Sequence, residues 1–98
     1  MHVITKKRLQ EFWNLHPESE SALTKWHKVA KKANWANLVE AKEDFPHAEL
    51  VGRCIVFNVG GNNYRLIVKA KFRSKTMFVR FVLTHAEYTK NKWKTDCL

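Results

Sequence analysis

The hydrophobic pattern of this chain changes period once, and that change constrains the fold more than any other feature. Through Phe45-Pro46 the apolar residues recur at helical spacing, and from Arg53 onward they alternate. A run of helices followed by a run of strands argues an α+β fold, with helices packed on one face of a small, mainly antiparallel sheet. The chain has 98 residues and no Pro/Gly-rich linker, so residues 1–98 are read as one domain.

In the helical half, Val3-Ile4 reads as a short opening strand. Thr5 stands where it would cap a helix carrying Leu9, Phe12 and Trp13, and Pro17 ends that helix and opens the next. In the second helix Ala22, Trp26, Val29, Ala30 and Ala33 form an apolar stripe. Lys25, Lys28 and Lys32 lie opposite it, a row that reads first as a solvated face. Asn37 and Glu40 have capping-box spacing for a third helix, which Phe45-Pro46 stops.

Three strands follow, over Arg53–Val59, Tyr64–Arg73 and Met77–Leu83, joined by Gly60-Gly61-Asn62-Asn63 and Ser74-Lys75-Thr76. In the middle strand Tyr64, Leu66, Val68, Ala70 and Phe72 point one way. Arg65, Ile67, Lys69, Lys71 and Arg73 point the other way, so the helices cover the first face and the second is a basic surface. Alternation in the next strand puts Phe78, Arg80 and Val82 on one face, where Arg80 would extend the basic patch.

The charge distribution supports this reading. Residues 1–50 carry eight Lys/Arg against seven Asp/Glu, whereas residues 51–98 carry ten against two, within a net charge of +9. A field concentrated on one half points to a polyanionic partner. The charge lies on a sheet rather than an amphipathic helix, which favours nucleic acid over a membrane surface. No apolar run approaches the roughly 18 residues that span a bilayer.

Chemistry is most plausible where the last strand ends. Thr84 and Glu87 have capping-box spacing, which predicts a short C-terminal helix running toward Trp93 with His85 in its first turn and Tyr88 on nearly the same face. A helix N-terminus suits a phosphate, and a histidine beside it can exchange a proton near neutral pH. Other chemistries lack their residues. No His/Cys/Asp/Glu grouping has metal-ligand spacing, so no metal or other cofactor is expected. Gly60-Gly61-Asn62 joins two strands and is not a phosphate-binding loop. Cys54 and Cys97 are too few and too far apart for a disulfide framework or a zinc cage. Cys54 reads as a small buried residue, and a reducing cytoplasm is the expected location.

The runs Val56-Phe57-Asn58-Val59-Gly60-Gly61-Asn62-Asn63-Tyr64-Arg65-Leu66 and Phe78-Val79-Arg80-Phe81-Val82-Leu83-Thr84-His85-Ala86-Glu87-Tyr88 resemble the HigB family of toxins, within the wider RelE-like group. Trp26 and Trp35-Ala36-Asn37 are also similar to that family, so the resemblance extends over nearly the whole chain. It implies an mRNA interferase, a small metal-independent endoribonuclease that cuts messages on the ribosome. In such enzymes the RNA's own 2′-hydroxyl attacks the adjacent phosphate. It also implies a helix-turn-helix antitoxin, HigA-like, that binds the toxin and the operator DNA of their shared operon. Carried over residue by residue, the resemblance places Arg65 on the scissile phosphate, with His85 and Tyr88 supplying proton transfer or base stacking. Lys69, Lys71, Arg73 and Arg80 are added from the charge pattern as RNA-positioning contacts, together with Asn62 of the turn.

The alternative is a non-catalytic RNA-binding or ribosome-associated protein using the same basic face, with His85 and Tyr88 merely packing or stacking on bases. For the antitoxin, the lower charge of residues 1–50 and their Trp13, Trp26 and Trp35 make the helical half the expected anchor, ahead of the basic face.

Overall fold

The computed structural model describes residues 1–98. In chain order the elements are β1 (His2–Ile4), α1 (Lys6–Leu15), α2 (Glu20–Lys32), α3 (Leu38–Asp44), β2 (Glu49–Val51), β3 (Cys54–Val59), β4 (Tyr64–Lys71), β5 (Thr76–Thr84) and α4 (His85–Thr89). Short 3-10 turns occupy Pro17–Ser19, Phe72–Ser74 and Lys92–Cys97. The strands form one sheet in the order β1-β5-β4-β3-β2, in which only the β1–β5 pair is parallel.

The helical half folds as its pattern predicts, with two departures. Leu9 and Phe12 of α1 and Leu23, Trp26 and Ala30 of α2 are buried against Leu66, Val68 and Phe57 of the sheet. Leu23, which the predicted stripe omitted, is fully buried, while Lys25, Lys28 and Lys32 are exposed. Each large apolar side chain so buried contributes roughly 1.5–3 kcal/mol. Asn37 caps α3 by accepting from the Glu40 N–H at 3.0 Å. Thr5, however, does not cap α1. It sits at φ 69°, and its hydroxyl both accepts from the Val79 N–H at 3.1 Å and donates to the Val79 carbonyl at 3.0 Å, continuing β1's pairing with β5 by one step. Tethering the helix start to the sheet edge leaves no oxygen for the helix N–H groups.

Two features of the sheet depart from strict alternation. First, β2 adds an antiparallel edge strand beside β3, which the sequence reading lacked. Second, Ile67 pairs with Phe81 but Val68 pairs with Val79, so Arg80 is the extra residue of a β-bulge. The bulge corrects the expected face-sharing in β5. Val82 turns to the main core, whereas Arg80 reaches Asp96 on the opposite side. The predicted middle strand also stops at Lys71, with Phe72 and Arg73 in a 3-10 turn.

The larger correction concerns the second sheet face. It is not an open basic surface along its length. The C-terminal segment folds over it, and Trp93 and Cys97 join Cys54, Val56 and Ile67 in a second small core. Cys54 and Cys97, 43 positions apart, are joined in a disulfide with their Cα atoms 5.3 Å apart, where the sequence reading expected no bridge. The approach is tight: the Arg53 N–H donates to the Cys97 carbonyl at 2.6 Å. Gly52, at φ +59°, lies so close that any Cβ there would fall 2.1 Å from the same oxygen. No helix is long and apolar enough to cross a membrane.

Candidate active site

One four-residue turn organises the corner where β3, β4, β5 and α4 meet. Gly60 and Gly61 adopt φ +61° and +68°, and the chain reverses between the paired Val59 and Tyr64. The reversal aims two backbone carbonyls at the neighbouring elements. The Asn62 carbonyl accepts from the Arg65 guanidinium at 3.0 Å, and the Asn63 carbonyl accepts from the His85 N–H at 3.0 Å. The turn thus ties the start of β4 to the start of α4. The predicted capping box closes α4: the Glu87 N–H donates to the Thr84 hydroxyl at 3.2 Å, and the Thr84 N–H donates to the Glu87 carboxylate at 2.9 Å.

Arg65 is only 9% exposed. Its Nη1 donates to the carbonyls of Asn62 and Tyr64, at 3.0 and 3.2 Å. No protein acceptor meets Nη2 or Nε, so those N–H groups remain for a ligand. The guanidinium lies over the Tyr88 ring at 5.1 Å from its centroid. Tyr88 stacks in turn on Trp93, with centroids 5.0 Å apart and planes inclined by 13°, and the Trp93 indole N–H donates to the Tyr88 carbonyl at 2.9 Å. Arg65, Tyr88 and Trp93 therefore form one column that runs from β4 through α4 to the C-terminal segment. His85, the first residue of α4, is exposed, and its ring makes no protein hydrogen bond.

The residues predicted to bind RNA separate into groups. Asn62 lies in the organising turn, and its side-chain oxygen accepts from Asn58 at 3.4 Å. Lys69 and Arg80 come together on Asp96, whose carboxylate takes both Nε and Nη2 of Arg80, at 2.8 and 2.9 Å, with Lys69 Nζ at 3.6 Å. This pairing depresses the Asp96 carboxyl below its ordinary value, chiefly through the Arg80 hydrogen bonds, and raises Arg80. Neither cation faces solvent without a counter-charge. Lys71 and Arg73 stand at the far end of the sheet. Lys71 is six residues along β4 from Arg65, roughly 20 Å at strand spacing, and is exposed near the Phe78 ring.

The sequence reading missed Trp93 as the support of Tyr88, Asp96 as a partner of the basic face, and the exposed Lys90, Lys92 and Lys94 beside the site. An available signal was the even cysteine count, since two cysteines allow one pairing. No group of three His, Cys, Asp or Glu side chains is placed to hold a metal ion.

Comparison with known proteins matches residues 19–91 to the family model of the HigB toxin, described as the RelE-like toxic component of a toxin–antitoxin system. The chain is 32% identical over 93 residues to the mRNA interferase HigB of Escherichia coli O6:H1, covering 92% of this chain and 90% of that protein. It is 31% identical over 91 residues to the mRNA interferase toxin HigB of Escherichia coli K12, and equally to the mRNA interferase HigB of Shigella flexneri, covering 90% of this chain and 88% of each.

Proposed function

The chain belongs to the HigB family of RelE-like toxins of toxin–antitoxin systems, and from that membership we propose that it cleaves messenger RNA at the corner formed by Arg65, His85 and Tyr88. The toxin is an endoribonuclease, an mRNA interferase. In the reaction we propose, the RNA's own 2′-hydroxyl attacks the adjacent phosphate, giving a 2′,3′-cyclic phosphate and a 5′-hydroxyl.

One observation carries this reading: Arg65 is held in a fixed pose with its Nη2 and Nε unpartnered, and the turn that holds it also anchors the backbone of the exposed His85. A guanidinium so fixed meets the developing phosphorane charge without having to reorganise, which is how an electrostatic site lowers a barrier. Its fork matches phosphate oxygens better than an ammonium does. His85 and Tyr88 share the two proton transfers, from the attacking 2′-oxygen and to the leaving 5′-oxygen. Imidazole suits the first role because it exchanges protons in the neutral range.

The family pairing implies an antitoxin. We place it as a helix-turn-helix protein that also binds operator DNA, and we place the message on the ribosome when it is cut. The helical half stays the proposed anchor for the antitoxin, but two of its three tryptophans are core residues. Trp26 and Trp35 are 1% and 3% exposed and belong to the core, and Trp13 is half-buried. The exposed large apolar residues among residues 1–50 are Leu15, Val39 and Leu50.

Inducing the protein in growing bacteria tests the reading. Growth should arrest, and the upstream fragments of cut messages should end in 2′,3′-cyclic phosphate. Arrest with intact messages would overturn it.

A further inference from the structure

A groove of about 270 Å³ lies between β5 and the C-terminal segment, immediately beside the Arg65–Tyr88–Trp93 column. Phe81 and Leu83 of β5, both half-buried, form its apolar wall, and Trp93 closes its base. Glu87, Lys90 and Lys92 form the rim. The volume is below the roughly 300–1,000 Å³ typical of sites for drug-sized molecules, and it suits one planar ring.

The rim chemistry identifies that ring. Lys90 and Lys92 are exposed and pair with no carboxylate. Glu87 gives one carboxylate oxygen to the Thr84 N–H, and its other oxygen accepts from no protein donor. An apolar wall bounded by free cations is how proteins hold single-stranded nucleic acid, with a base on the wall and phosphates on the cations. A free carboxylate oxygen adds a single acceptor able to read a base edge. The position fits as well, since Trp93 floors the groove and also carries Tyr88, over which Arg65 lies.

We propose that this groove is a nucleobase subsite for the nucleotide next to the scissile phosphate. Phe81 and Leu83 take the base, Lys90 and Lys92 take flanking phosphates, and Glu87 selects bases that present an exocyclic amino group over uracil. The assignment rests on the reading of Arg65 as the cleavage site.

The test measures binding of short 2′-O-methyl oligonucleotides of A, C or U, which lack the attacking hydroxyl, to the whole protein by fluorescence anisotropy. The wild type should bind A and C about tenfold more tightly than U, the worth of one hydrogen bond to a charged group. Glu87→Gln keeps the helix cap, because glutamine serves that position equally. It should lose the preference and gain affinity for U through the new amide donor. Replacing Lys90 and Lys92 together by Ala should weaken all three oligonucleotides alike. At about 0.7 per phosphate contact, the slope of log affinity against log salt should fall by about 1.4. Equal binding of A, C and U by the wild type, an unchanged preference in Glu87→Gln, or an unchanged salt slope would overturn the proposal. Cleavage of messages by Glu87 and lysine variants that bind like wild type would remove the groove alone. Base-selective binding by a protein that cuts no RNA would keep the groove and remove the cleavage reading.

Discussion

The Arg65 guanidinium lies 5.1 Å from the centroid of the Tyr88 ring, and the other aromatic contact of that ring is Trp93. An arginine emerging from β4 is thereby fixed by a residue of α4 that is fixed in turn by the C-terminal segment. The predicted effects of substitution follow from this dependence.

Arg65→Ala should lose about 2–4 kcal/mol of transition-state stabilisation, the range for one preorganised donor. Arg65→Lys should recover little of it, because an ammonium offers neither the fork nor the planar stack on Tyr88. Single-turnover cleavage rates check both, with a thermal melt to confirm folding. Wild-type rates in Arg65→Ala would remove it from the site.

Trp93→Phe keeps an aromatic ring but loses the indole N–H bond to the Tyr88 carbonyl, worth about 0.5–1.5 kcal/mol. The folded protein should cut more slowly, since the substitution loosens Tyr88 and, through it, the Arg65 guanidinium. A change confined to affinity would contradict the positioning role.

The Cys54–Cys97 bridge closes a loop across 43 positions and holds the segment that carries Trp93. Reduction, or Cys97→Ala, should cost about 2–4 kcal/mol. For a chain of this size, each kcal/mol lost lowers the melting midpoint by about 4–8 °C. Superimposable melting curves with and without dithiothreitol would show that the bridge contributes nothing.

Asp96 supplies a pH dependence of known sign. Its folded carboxyl is depressed below the ordinary 3.8, chiefly by the Arg80 hydrogen bonds. It therefore stabilises the fold above that value, and the contribution is lost as pH falls through the depressed one. Asp96→Asn should flatten the acid limb of a stability–pH curve and free Arg80 and Lys69. An unchanged acid limb would contradict the pairing.

Much of this was legible locally. The alternation of Tyr64 through Lys71, the stop at Pro17 and the Thr84–Glu87 cap are each set by neighbouring residues, and each stands as read. What was not legible depends on tertiary contact. The Arg80 bulge is a property of two paired strands and breaks the period that a single strand displays. β2 has three residues, too few for alternation to register. Thr5 has the right type and position for a cap, but the neighbouring edge of β5 competes for its hydroxyl. The basic row of β4 showed which face carries charge, but not that the C-terminal segment returns over it. Arg65 and Lys69 thus read as exposed when one is buried and the other is paired with Asp96.

The central claim, that the attacking group belongs to the RNA, is tested most directly by a message carrying a single 2′-deoxy nucleotide immediately upstream of a mapped cut. Wild-type protein should leave that bond intact while cutting the all-ribose message to a 2′,3′-cyclic phosphate. Cleavage of the deoxy message at the same bond and rate would contradict the account.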